Sequence, residues 1–169
     1  MQHDQQVSPL LTDVRAEHRW LRQFLGDWAY ESSPVAGPGE TTETFTGTER
    51  VRAVGDLWVV AEGEGALPGN ESTTTLLTLG FDSQRDSFIC TWIGSMMSSL
   101  WQYDDIRLDS AANSLTLCAD GPGILDQSVT TRFKDVMTFD TPDLRTVSSY
   151  HQVQDGTWET FLVSRYRRA

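Results

Sequence analysis

Phe24-Leu25-Gly26-Asp27-Trp28 sits where a helix-spaced pattern stops and a strand pattern begins. Upstream of it, Val14, His18, Leu21 and Leu25 recur at helical spacing, joined by Leu10, Leu11 and Phe24. Arg15, Glu17, Arg19, Arg22 and Gln23 occupy the other side. The spacing predicts one helix over residues 8–25. Ser8-Pro9 offers a start with Pro at the first helical position, and Thr12-Asp13 offers a second cap just inside it. Gly26 is a natural stop because it tolerates positive φ. Residues 1–7 read as a flexible tail.

Downstream of Trp28 the chain becomes a series of β-rich runs separated by turn residues every 8 to 12 positions. The runs cover 28–33, 41–54, 57–67, 72–81, 87–96, 99–108, 113–119, 129–139, 145–154 and 157–167. Breaks such as Gly55-Asp56 and Pro68-Gly69-Asn70 set them apart, and Asp155-Gly156 is a two-residue hairpin signal. Ten antiparallel strands joined in order by short turns predict an all-β, up-and-down barrel over 27–167 with the helix covering one end. Closing the barrel removes the edge strands, and a barrel of this size can hold one small ligand. No repeat or linker interrupts the runs, so residues 1–169 read as a single domain. Alternation within the runs is partial, which leaves register and the inward-facing aromatics open.

Gly26-Asp27-Trp28 after a helix, with Arg165 or Arg167 on the last strand, resembles the lipocalin and fatty-acid-binding (calycin) pattern. That resemblance implies a structural closure in which the ring of Trp28 packs against one of the two arginines. A wider set also carries a resemblance: Gly80-Phe81-Asp82, Thr91-Trp92-Ile93-Gly94-Ser95-Met96-Met97, Leu115-Thr116-Leu117, Gly121-Pro122, Phe133-Lys134-Asp135-Val136 and Tyr166-Arg167-Arg168. With Gly26-Asp27-Trp28 it resembles a mostly bacterial family known as domain of unknown function 1579, over nearly the whole chain from the helix onward. The resemblance implies a calycin-like barrel and no reaction, and fold alone does not transfer function.

The formal net charge is −11, from 13 basic and 24 acidic residues, and Lys134 is the sole lysine. An acidic surface of this kind disfavours nucleic acid, which is bound by clustered Lys and Arg. No apolar run approaches the roughly 18 residues of a membrane-spanning helix. The polar start Met1-Gln2-His3-Asp4-Gln5-Gln6 lacks a leader pattern, so the expected location is the cytoplasm and the Asn70-Glu71-Ser72 sequon carries little weight. Cys90 and Cys118 fall on strands separated by another strand, about 9.5 Å apart, beyond the roughly 7 Å a disulfide spans. Free thiols are expected.

Six Trp in 169 residues suit a cavity that grips an apolar or planar molecule, although an ordinary barrel core accounts for any one of them. The candidate ligand-binding set is Phe45, Trp58, Glu62, Trp92, Met96, Trp101, Tyr103, Phe133, His151 and Phe161. Glu43, Glu62 and Glu64 are the carboxylates whose spacing allows an inward position, where a raised pKa would suit acid–base work. His151 is the sole histidine well inside the strand region and the sole candidate for a haem ligand of the nitrobindin kind. No histidine pair has zinc spacing, Gly94-Ser95-Met96-Met97-Ser98 is not a nucleophile elbow, and Gly63-Glu64-Gly65 opens no helix onto a phosphate.

The leading expectation is a non-enzymatic binder of a small apolar or planar ligand, needing no cofactor or metal. The alternatives are a cofactor-free enzyme acting on a hydrophobic substrate in the same cavity, haem binding through His151, and a filled barrel with an interaction role. Aromatic residues on both faces of the strands suggest a homodimer.

Overall fold

The structure, a computed structural model, describes residues 12–37, 42–67, 69 and 71–169. Eleven strands follow the helix: β1 (Gly26–Pro34), β2 (Phe45–Val54), β3 (Trp58–Leu67), β4 (Glu71–Asp82), β5 (Ser87–Gly94), β6 (Trp101–Gln102), β7 (Asp105–Asp109), β8 (Ser114–Pro122), β9 (Thr130–Thr141), β10 (Leu144–Gln152) and β11 (Trp158–Arg168). They form one antiparallel sheet in the order β6-β5-β4-β3-β2-β1-β11-β10-β9-β8-β7. Sequence neighbours are therefore sheet neighbours except β6 and β7, which form the two edges, and the first strand pairs with the last, Trp28 opposite Arg168. This is the expected up-and-down, lipocalin-like barrel.

The run expected as one sixth strand divides into β6 and β7. The Tyr103 N–H donates to the Cys90 carbonyl at 3.1 Å, and the next residue, Asp104, donates to the Cys118 carbonyl at 3.0 Å. One run of chain thus leaves β5 and joins β8, linking the two edges of the curled sheet. It also separates Cys90 from Cys118, and both are free thiols.

The helix is shorter than its periodicity suggests. α1 spans Ala16–Leu21, a 3₁₀ turn follows over Arg22–Phe24, and residues 12–15 are not helical. The expected start at Ser8-Pro9 lies outside the described residues. A helix this short draws its stability from packing, so tertiary contacts fix its limits. His18 supplies them. Its Nδ1 accepts the Arg15 N–H at 2.9 Å, which leaves Nε2 to donate to the Phe81 carbonyl of β4, also at 2.9 Å. Trp20 Nε1 donates to Asn113 Oδ1 at 2.9 Å, fixing the helix to the β7–β8 turn as well.

The core sits under this helix. Leu21, Phe24 and Trp28 pack with Leu79, Phe81, Phe88, Leu115, Leu117, Met137 and Phe139, all buried. Trp28 closes this end with a late arginine, as the calycin resemblance implies, but the arginine is Arg168 and not Arg165 or Arg167. Two-residue alternation on β11 turns Arg165 and Arg167 to solvent and brings the Arg168 guanidinium 4.2 Å from the Trp28 ring. Arg168 also donates to the carbonyls of Leu25 at 2.6 Å and Gln23 at 3.2 Å, satisfying the end of the 3₁₀ turn.

The β10–β11 turn is longer than a two-residue hairpin. Gly156 donates to the Val153 carbonyl at 2.8 Å and has φ 85°, a conformation that Asp155-Gly156 supplies without strain. Further along this hairpin, Ser149 opposes Leu162 while Tyr150 opposes Thr160, leaving Phe161 as the extra residue of a bulge.

Candidate functional site

Above the packed half the barrel is hollow. The cavity measures about 720 Å³, inside the range of pockets that take drug-sized molecules. Its emptiness follows from which side chains alternation turns inward on β2 to β5. The inner row Glu49, Gly63, Thr75, Gly94 and the row Gly47, Gly65, Thr73 are mostly glycine and threonine. A Cβ on Gly47 or Gly65 would fall 2.3 Å from the Tyr30 hydroxyl oxygen, so these two glycines let Tyr30 lie flat across the wall. The same strands nearer the helix carry Val51, Val59, Ala61 and Leu79, which fill the space.

The opposite wall is aromatic. Trp101 meets Phe133 edge-on with centroids 4.9 Å apart, and Phe133 meets Phe161 at 6.0 Å. Trp101 lies over Gly121, where a Cβ would fall 2.3 Å from the indole, and its Nε1 donates to the Met97 sulfur at 3.0 Å. The bulge explains how consecutive Phe161 and Leu162 both line the cavity. The mouth lies between the loops 95–100 and 123–129. Met96, Met97, Leu100, Ile124, Leu125 and Val129 are all exposed there.

Two charged clusters interrupt this lining, besides hydroxyls such as those of Ser32, Ser164, Thr73 and Thr75. At the floor, Arg145 is 4% exposed and forms an ion pair with Glu49. Its guanidinium lies 4.2 Å from the Tyr166 ring centroid, 4.9 Å from that of Trp28 and 5.2 Å from that of Phe24. Halfway up the wall, the Asp135 carboxylate accepts from the Ser149 hydroxyl at 2.5 Å and from the Tyr103 hydroxyl at 2.8 Å. Burial pushes the Asp135 carboxyl above its ordinary value, and the two hydrogen bonds oppose that shift without cancelling it. Burial, then the neighbouring Asp135, raises Tyr103 well above the usual phenol range. Tyr166 is raised by burial and by Glu49, against the effect of Arg145.

Residues 13–168 match the profile of the family described as "Protein of unknown function (DUF1579)". The chain belongs to DUF1579. No curated protein matches it in sequence. Among solved structures, Rv2717c from M. tuberculosis is similar at 10% identity and TM-score 0.59, covering 93% of this chain and 99% of that one. The S-type phycobiliprotein lyase CPES from Guillardia theta is similar at 16% identity and TM-score 0.57, covering 94% and 98%. At such identities the likeness is one of fold.

Of the residues singled out in this DUF1579 sequence, Phe45, Trp92, Met96, Trp101, Tyr103, Phe133 and Phe161 line the cavity. Three do not. Trp58 lies on the outer wall against Gly80, because Val59 and Ala61 take the inward positions of β3. Glu62 follows the same parity and pairs with Arg52 at 3.3 Å in solvent. His151 stands at the rim, edge-on to Phe161 at 5.9 Å with Nε2 3.7 Å from Glu159, and is not part of the lining. Glu64 is exposed, and so is Glu43 in the segment before β2.

The inward carboxylates are Glu49 and Asp135, with Arg145 and Ser149 as their partners. Sequence reading passed over all four. The signal was available as parity: Asp135 shares a strand face with Phe133, Met137 and Phe139. Among the described residues, no three His, Cys, Asp or Glu side chains gather as a metal site. None of the described helices is long and apolar enough to cross a membrane.

Proposed function

We propose that this DUF1579 protein is a non-enzymatic carrier or sensor of a small, largely apolar or planar molecule held in the open half of the barrel. One observation carries the reading: a cavity of about 720 Å³ walled by Trp92, Trp101, Phe133 and Phe161, with its charged groups confined to the Glu49–Arg145 pair and Asp135. A barrel serving only as a scaffold would be expected to fill this volume, as it does beneath the helix. Aromatic walls with sparse polar groups suit a ligand whose faces are buried and whose orientation is fixed at one or two points. Flexible Met96 and Met97 at the mouth suit entry of such a molecule.

The reading extends to setting and assembly. Two free thiols fit a reducing compartment such as the cytoplasm. Val54 and Trp58, neighbours across the β2–β3 turn, are exposed on the outer wall, and a second copy of the chain would cover them. A native mass spectrum of gently purified protein, beside a denatured spectrum of the same sample, tests both points. The expected result is an added mass that is lost on denaturation, on a dimer. A bare subunit mass, together with no binding of the neutral planar dye Nile red, would overturn the binding reading.

A further inference from the structure

The cavity holds more negative than positive charge. Glu49 is matched by Arg145, whereas Asp135 has no cationic group within ion-pair distance among the described residues. The neighbouring Lys134 cannot serve, since its ammonium lies on the outer wall, 4.5 Å from the ring centroids of both Tyr150 and Trp158. The groups that face Asp135 from other elements are neutral: Ser149 of β10, Tyr103 of the β6–β7 link, Cys90 of β5 and Tyr166 of β11.

A carboxylate has about four acceptor positions, and the two hydroxyls fill only two. Asp135 is half-buried and faces the cavity. A carboxylate withdrawn from bulk water without a cation is costly, and a donor or positive charge brought to it offsets that cost. We propose that Asp135, held by Tyr103 and Ser149, is the polar anchor of the cavity and that it selects ligands bearing a protonated amine or similar N–H cation on an apolar body, against carboxylate-bearing ones. This rests on the binding reading above and names the class of molecule bound. The upward shift that burial imposes on Asp135 has the same origin, since a cationic ligand would supply the missing stabilisation.

The test is displacement of Nile red from the full chain by three molecules that share one apolar tail: dodecylamine, dodecanol and dodecanoate. With a net charge of −11 the surface attracts any cation, so the titrations are run in 0.5 M NaCl at pH 7.5, where exposed charge is screened. Dodecylamine is expected to displace the dye at a concentration at least tenfold below dodecanoate, with dodecanol between them.

In Asp135→Asn, dye binding is expected to persist while the amine preference collapses to within threefold. Glu62→Gln, which removes a carboxylate from the outer wall in solvent, is expected to keep the preference. If Asp135→Asn does not retain the dye, the native chain decides the matter. Its amine-over-alcohol preference should fall as pH is lowered from 8 to about 4, near the ordinary aspartate value, because burial makes Asp135 take up its proton earlier than an exposed carboxylate does. Dodecanoate displacing the dye as well as dodecylamine would overturn the anchor, as would a preference unchanged in Asp135→Asn or flat across that pH range. Failure of Nile red to bind at all would instead count against the cavity itself.

Discussion

Replacing Arg145 with methionine tests how the floor of the cavity is held together. The guanidinium is 4% exposed, pairs with Glu49 at 14% side-chain exposure, and lies over the rings of Tyr166, Trp28 and Phe24. Methionine fills similar space but strands the Glu49 charge in a buried setting, and breaking a buried pair in this way costs about 3–5 kcal/mol. For a domain of this length each kcal/mol lowers the melting temperature by about 2–4 °C, so a fall of roughly 10 °C is expected. Glu49→Gln alone leaves the cation over its rings, where the aromatic attraction persists, and is expected to cost less, about 2 kcal/mol.

The double variant Arg145→Met with Glu49→Gln removes both charges, and buried pairs replaced together are often close to neutral. It should therefore be more stable than Arg145→Met alone, with a coupling of about 2 kcal/mol or more between the sites. Urea unfolding followed by tryptophan fluorescence measures all four proteins, with equal slopes required before midpoints are compared. Additive losses, leaving the double variant the least stable of the four, would refute the reasoning: Glu49 would then not depend on Arg145 for its charge.

Other consequences follow from the same geometry. Arg168→Ala removes charged hydrogen bonds to the Leu25, Gln23 and Pro142 carbonyls and the contact with Trp28, and should cost about 2 kcal/mol. Arg167→Ala, one residue away and exposed, should stay within about 0.5 kcal/mol by the same urea assay. Cys90 is fully buried and its thiol is pushed well above the ordinary range by that burial. A thiol reagent at pH 8 should therefore leave Cys90 unmodified until guanidinium unfolds the chain, with mass spectrometry of the labelled peptides as the readout. Asp135 has a raised folded pKa, so its contribution to stability is fully present below its unfolded value and is lost as pH rises through the folded one. Asp135→Asn should accordingly gain stability over the native chain on going from pH 4 to pH 7, and a difference that does not change with pH would contradict this.

Much of the architecture could be read from the chain. Strand runs, turns and the Gly26-Asp27-Trp28 corner together specify an up-and-down barrel, because each strand is short, follows a turn residue and pairs with its sequence neighbour. What could not be read lies where tertiary contacts override local pattern. The helical periodicity of residues 8–25 continues beyond the segment that His18 ties to Phe81, so it overstates α1. The split at Tyr103–Asp104 leaves no local mark, since it arises from two different strands competing for consecutive N–H groups. Residue type alone points to aromatics and away from single charges, which keeps Trp58, on the outer wall, and leaves out Asp135 inside. Strict parity along β9 would have corrected the second error, whereas the bulge at Phe161 defeats parity on β11.

The two halves of the barrel are separated by charge as well as by packing. Toward the helix, inward positions carry Leu79, Leu115, Leu117 and Phe139, and the ring N–H groups of His18 and Trp28 are already paired with the Phe81 and Phe24 carbonyls. Toward the mouth, Gly47, Gly63 and Gly65 are covered by the side chains of Tyr30 and Thr75 alone, and the cavity opens above them. Arg145 and Glu49 sit at the boundary, with the guanidinium contacting core rings while both side chains line the cavity. An apolar floor of equal volume would be at least as stable, so stability alone gives no reason for an ion pair at this depth. A floor whose charges are already matched does, however, leave the ligand's polar group nothing to neutralise there. The unmatched carboxylate is then Asp135, part-way up the aromatic wall between Tyr103 and Ser149. If Asp135 anchors a ligand as proposed, its depth would set how far an amphiphilic molecule enters: the apolar body would go below the anchor toward Tyr166 and Tyr30, and the remainder would lie against Trp101 and Phe133 near the mouth.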